Sequence, residues 1–168
     1  MLRLRPYKAC DAEKIVSWIT DEEMFYKWSA GRYDHYPITA DDINNHYNSF
    51  AYADNFYEMT AFDETGAVGH MIMRFTDAEK KNLRFGFIIV DGEKRGKGLG
   101  KQMLRIAVKY AFEILFAERI TIGVFENNPA AYGCYKSIGF NEPQPPQCET
   151  YHLMNEDWKC IELEMKAM

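Results

Sequence analysis

The stretch that most constrains this chain runs from Ile88 to Leu104 and reads IIVDGEKRGKGLGKQML. An apolar run stops at Val90. Asp91, Gly92 and a cluster of basic residues follow, with glycine on alternate positions at 96, 98 and 100. A helical pattern begins at once. Glycine enters the φ > 0 region without steric cost and lets the backbone approach a ligand closely. Successive N–H groups at the mouth of a helix form a site for an anion such as a pyrophosphate. Lys94, Arg95 and Lys97 add positive charge. The stretch therefore predicts a strand, an anion-holding loop and a helix in direct succession.

The flanking sequence builds an α/β fold around this unit. MLRLRPY alternates as a first strand does. Asp11 is expected to cap a helix reaching about Thr20, with Ile15, Trp18 and Ile19 on one face. Residues 20–39 read as irregular and aromatic, and Thr39 precedes a second helix in ADDINNHYNSF. NFYEMTAFD and AVGHMIMRF flank the turn ETG as a hairpin. LRFGFIIV has the near-continuous apolar end of a central strand. In the helix after the glycines, Met103, Ala107, Tyr110, Ala111 and Ile114 fall on one face, and Lys101, Arg105, Lys109 and Glu113 fall on another that reads as solvated. RITIGVF is the next strand. The segment from Pro129 to Gly139 starts and stops as helices do, and CETYHLM and DWKCIELEM close the sheet. The expected order is β-α-α-β-β-β-α-β-α-β-β, a mixed α+β sheet in one domain spanning 1–168.

Composition narrows the function classes. A net charge of -5 argues against non-specific nucleic-acid binding. No apolar run approaches a membrane span and MLRLRPYKACDAEK has no signal-peptide core, so a cytoplasmic location and no membrane partner are expected. Cys10, Cys134, Cys148 and Cys160 form no CxxC, so free thiols and no metal are expected.

Nucleotide loops can be tested by spacing. A P-loop ending at Gly100-Lys101 needs glycine where Arg95 stands, and Ser or Thr where Gln102 stands. A dinucleotide loop built on Gly96 and Gly98 needs glycine at Lys101, and one built on Gly98 and Gly100 needs it at Met103. Both patterns lose a defining position. What remains is basic-x-x-Gly-x-Gly, carried by Arg95, Gly98 and Gly100. After the next strand comes NNPAAYGCYKSIGF, in which Asn128, Ala131, Tyr135, Gly139 and Phe140 stand as N-x-x-A-x-x-x-Y-x-x-x-G-F. The two segments together resemble the GNAT family of acetyl-CoA-dependent N-acetyltransferases. The motif resemblance covers about residues 83 to 140.

The resemblance implies a fold whose fourth and fifth strands, here LRFGFIIV and RITIGVF, splay apart to admit the pantetheine arm of acetyl-CoA. It implies that backbone groups of Ile88, Ile89 and Val90 pair with that arm and polarise the thioester carbonyl. Arg95, Gly96, Lys97, Gly98, Leu99 and Gly100 would hold the pyrophosphate. Asn128 would hydrogen-bond the cofactor arm beside Ala131. Tyr135 would act as acid toward, or contact, the departing sulfur. Acetyl transfer to an amine raises two proton problems. The ammonium, with a pKa near ~10, must lose a proton, and the thiolate, whose conjugate acid is near ~8.5, must be stabilised.

The base is open. Many GNAT relatives carry a glutamate on the fourth strand, but this strand has no carboxylate before Asp91. Glu58 on the hairpin is the candidate, with His70 and a water chain as alternatives. Phe25, Tyr26, Trp28, Tyr33 and His35 are expected to wall the acceptor site. The acceptor is read as a small-molecule primary amine. Alternatives are a protein N-terminus, a different acyl donor, a non-catalytic acyl-CoA-binding module, and an interaction domain whose loop is purely structural. A homodimer is a further expectation from the resemblance.

Overall fold

The computed structural model describes residues 1–168. The chain runs β1 (Arg3–Pro6), α1 (Asp11–Trp18), α2 (Glu22–Ser29), α3 (Ala40–Asn48), β2 (Phe56–Asp63), β3 (Gly66–Phe75), β4 (Asn82–Val90), a short 3-10 turn (Gly92–Lys94), α4 (Leu99–Glu113), β5 (Arg119–Phe125), α5 (Pro129–Ile138), β6 (Cys148–Leu153) and β7 (Glu156–Lys166). One seven-stranded sheet has the order β1-β2-β3-β4-β5-β7-β6. Only β4 and β5 run parallel. The mixed α/β architecture expected from the sequence is present, with one more helix.

That helix is α2, in the stretch read as irregular. Asp21 caps it by accepting from the Met24 N–H at 2.8 Å. Phe25 and Trp28 are buried, and Met24 and Tyr26 are half-buried around them. With apolar residues on most sides, the 3.6-residue period is masked in the sequence. Asp11 also differs from expectation. It is the first residue of α1 rather than its cap, and its carboxylate turns inward to Arg5, Thr60 and the Lys8 N–H. Thr39 and Asp42 do form a reciprocal cap at the start of α3.

Two cores sit on opposite faces of the sheet. One joins Met71, Met73, Leu83, Phe85, Ile120 and Ile122 to Met103, Leu104 and Ala107 of α4. The other packs α1, α2 and α3 through Ile15, Phe25 and Ile43 against Phe56, Ile72 and Ile89.

The pairing of the two parallel strands is short. Asn82 to Phe85 of β4 meet Arg119 to Ile122 of β5, and no further partners follow. Beyond that point β4 stays with β3, while β5 stays with β7 as far as Phe125. The cause is visible in the register. His70 and Ile72 of β3 face Ile89 and Gly86 of β4, so β4 carries an extra residue there. Phe87 within this bulge has φ of 49°. A bulge bends its strand and raises the local twist. Here it turns the end of β4 away from β5, and a V-shaped gap opens.

Candidate active site

The gap is the floor of a cavity of about 660 Å³. Ile88, Ile89 and Val90 line it from β4, with Gly86 and Phe87 of the bulge. Val124 and Phe125 line it from β5, Asn128 from the cap of α5, and Ala131, Cys134 and Tyr135 from α5 itself. Backbone N–H and C=O groups on the β5-facing edge of β4 have no strand partner past Phe85. An extended, amide-bearing chain laid in this gap finds the pairing that β5 does not give.

Asp91 starts the loop by accepting from the Glu93 N–H at 3.1 Å. Gly96 and Gly98 then take φ of 79° and 74°. An L side chain is strained in that region. Gly98 is the residue before α4, and no side chain caps that helix. No acidic residue stands in its first turn. The first N–H groups of α4 are therefore unsatisfied by the protein, at the positive end of the helix dipole. Lys94 is occupied by Thr65, while Arg95 reaches the Met24 sulfur at 3.6 Å. Arg95 and Gly100 line the cavity; Gly96, Lys97, Gly98 and Leu99 lie outside its lining and continue the loop at its rim.

Asn128 caps α5, its side-chain oxygen accepting from the Ala131 N–H at 3.4 Å. That leaves its amide donors for the cavity. Pro129 opens the helix and Gly139, at φ of 124°, ends it. The ring of Tyr135 is buried and burial pushes its phenol well above the ordinary tyrosine range, with smaller contributions from Cys134 and Cys160. At neutral pH it is a hydrogen-bond donor.

The structure thus brings Ile88–Val90, Arg95, Gly100, Asn128, Ala131 and Tyr135 around one cavity. It does not bring Glu58 there. Glu58 is on the face of β2 shared with Phe56 and Thr60, beneath α1 and α3, and β3 separates β2 from β4. Burial raises its carboxyl above the usual range. His70 is fully buried, with Nε2 at 2.6 Å from the Tyr47 hydroxyl, and burial pushes its pKa down to about 3. Of the five residues expected to wall the acceptor site, only Trp28 lines the cavity. Phe25 and Tyr33 are core, and His35 pairs with Asp34 and Asp42 at the surface.

The basic end of the cavity belongs to neither sequence motif. Arg32, Arg74 and Arg84 line it together. The available signal was Arg84, a lone charge in the apolar strand LRFGFIIV. Gly123 makes room for it, since a Cβ there would stand 2.8 Å from the Arg84 guanidinium and 2.9 Å from Cys160 Sγ.

Residues 1–141 match the family model described as an acetyltransferase (GNAT) domain. The chain belongs to the GNAT family. Within this family it is similar to the spermine/spermidine N(1)-acetyltransferase of Bacillus subtilis, 36% identical over 66 residues. That match covers 38% of this chain and 43% of the relative, so the chain spans less than half the length of the curated relative it matches. A prophage-derived uncharacterized N-acetyltransferase of the same organism is 26% identical over 107 residues, 63% of this chain and 59% of the other. Among solved structures, spermidine N-acetyltransferase from Vibrio cholerae, in complex with CoA and spermine, superposes with a TM-score of 0.83. The superposition covers 98% of this chain and 95% of that one at 20% identity, and shows the GNAT fold.

Proposed function

We propose that this GNAT chain, acting as one domain over residues 1–168, is an acetyl-CoA-dependent N-acetyltransferase for a primary amine of a small molecule. The observation that supports it most is the gap between β4 and β5, with an uncapped glycine loop at one end and Tyr135 in its wall. The pantetheine arm lies in the gap against Ile88, Ile89 and Val90. The pyrophosphate sits on Arg95–Gly100, and Asn128 donates to the arm beside Ala131. Backbone N–H groups past the bulge stabilise the oxyanion that forms on the thioester carbonyl.

The neutral amine attacks the thioester carbon, the C–N bond forms and the C–S bond breaks. The proton shed by the amine balances the thiolate, giving amide, free thiol and one net proton from an ammonium substrate. Tyr135 stabilises the departing sulfur by donating a hydrogen bond. Its raised pKa favours that role over complete proton transfer, because the thiol is the stronger acid. The ammonium proton leaves through water in the cleft, and Glu58 serves only as an acceptor at the end of such a chain. The reading places the protein in the cytoplasm. Self-association is part of it, by analogy with the dodecameric Vibrio cholerae spermidine N-acetyltransferase.

The test is calorimetric titration with acetyl-CoA of the parent and of Gly98→Glu, followed by an amine panel read by thiol release. Binding by the parent and its loss in a folded variant support the cofactor reading, and thiol release supports the reaction. Binding without thiol release from any amine leaves a non-catalytic acyl-CoA module. No binding by a folded parent overturns the reading.

A further inference from the structure

Arg74 of β3 and Arg84 of β4 are direct cross-strand partners. Like charges placed opposite each other on neighbouring strands destabilise a sheet. Only one of the two is compensated. Arg84 donates to Glu162 at 2.6 Å and to Thr121 at 3.3 Å. Arg74 is half-buried, and burial, then Arg84, then Arg32, hold its guanidinium below the usual arginine range. No carboxylate forms an ion pair with Arg74 or Arg32. Arg32 donates to the Ala30 carbonyl and lies over the Tyr151 ring.

These three guanidiniums line both the main cavity and a second one of about 480 Å³ that continues from it. The second cavity adds Glu149 and Glu162, but both have partners: Glu162 on Arg84 and Glu149 on the Tyr151 hydroxyl at 3.0 Å. The cationic end stands on the α1–α3 face of the sheet. On β4, Arg84 alternates with Phe85, whose ring is buried against α4 and α5 on the other face. Arg84 precedes the bulge residue Phe87 by three positions, about 10 Å along an extended strand. The pyrophosphate loop begins beyond Val90, at the opposite end of β4. The charges are therefore placed for the acceptor and away from the cofactor's phosphates.

We infer that Arg32, Arg74 and Arg84 form an anion subsite, and that the acceptor is an amine that also carries an oxyanion group, a carboxylate or a phosphate. The planar guanidinium fork matches such a group bidentately. A bound anion relieves the Arg74–Arg84 repulsion that the free protein carries. A polyamine brings only positive charge to the same place. The inference rests on the acetyltransferase reading for what happens to the amine, but not for the binding of the anion.

Two measurements keep those apart. Acetylation of L-lysine is compared with cadaverine, which lacks only the carboxylate, and of O-phosphoethanolamine with ethanolamine; spermidine is run beside them. The same pairs are titrated calorimetrically into the protein–CoA complex, which needs no turnover. At least one anionic member is expected to exceed its partner ten-fold or more in kcat/KM and in affinity, and the better pair identifies carboxylate or phosphate. Arg74→Gln is expected to bring that ratio toward one with Tm unchanged or raised, because it removes a like-charge pair. Arg32→Gln, at an exposed position, gives the same trend without burden on the fold. Preference for cadaverine or spermidine, or a ratio that neither substitution changes, overturns the inference and leaves the acetyltransferase reading in place. Arg74-dependent binding without any acetylation upholds the subsite and removes the reaction.

Discussion

Arg5 of β1 grips Asp11 of α1 with two parallel hydrogen bonds, Nη1 to Oδ2 at 2.7 Å and Nη2 to Oδ1 at 2.8 Å. The Asp11 side chain is 5% exposed. Thr60 and the Lys8 N–H complete its shell at 2.8 and 2.9 Å. Burial alone would push this carboxyl up, but Arg5, the Lys8 N–H and Thr60 outweigh it and hold it below the usual range. Asp11→Ala leaves the arginine unpaired at the seam between sheet and helix. We expect a loss of about 3 kcal/mol in urea unfolding, the scale of breaking one side of a buried pair. The folded pKa is lowered, so this stabilisation is present above pH 3.8 and disappears as pH falls through the folded value. An unchanged midpoint in urea would show that the pair contributes nothing.

His70 gives a separate acid dependence at milder pH. It is neutral inside the fold, its pKa moved by burial from 6.5 to about 3. In the unfolded chain it takes a proton below pH 6.5, which favours unfolding. Stability from this group is thus full above pH 6.5 and declines as pH falls from 6.5 towards 3. The slope approaches about 1.4 kcal/mol per pH unit for one proton. Urea midpoints of the parent and of His70→Gln, measured between pH 7 and pH 4, report it. The variant is expected to be less stable at pH 7 and to show a flatter acid decline. Parallel curves would mean that His70 keeps its ordinary titration in the fold.

Asp11 and Glu58 show where the sequence stops being readable. Strand and helix positions from β2 onward follow from local alternation, glycine placement and Pro-start, Gly-stop signals, which act over a few residues. Asp favours a cap position, so local sequence places Asp11 there, and only the non-local contacts with Arg5 and Thr60 draw it inward. Glu58 is a candidate base by its chemistry alone. Its register partner is Ile72, which lines the cavity, but Glu58 itself stands half-buried on β2, one strand further from the gap. The loop and α5 portions of the site are contiguous motifs and were legible. The arginine subsite is assembled from an α2–α3 connection, β3 and β4, so no window of sequence contains it.

Tyr135 separates hydrogen bonding to sulfur from cofactor binding. Its ring is buried among Phe85, Phe140 and α4 side chains, and phenylalanine keeps that packing. Tyr135→Phe is therefore expected to fold and to bind acetyl-CoA within about two-fold of the parent. Its kcat should fall roughly 10²-fold or more, the range for losing a preorganised hydrogen-bond donor to developing charge. Stopped-flow thiol release under saturating acetyl-CoA measures this. A variant with parental kcat would move Tyr135 from chemistry to packing.

Asn128 carries two roles that one substitution can split. As the cap of α5 it accepts from Ala131, and Asn128→Ala removes that bond. The expected cost to the fold is about 1 kcal/mol. Asn128→Asp keeps an accepting oxygen at the cap and strengthens it with charge at the helix N-terminus, while removing the amide donors that face the cavity. Stability of Asn128→Asp should match or exceed the parent. Its acetyl-CoA affinity should fall about ten-fold, the scale of one lost hydrogen bond to a buried partner. Equal affinity in parent and Asn128→Asp would confine Asn128 to capping. Equal loss of affinity and stability in both variants would mean that the cofactor arm is held by the position of α5 and not by the side chain.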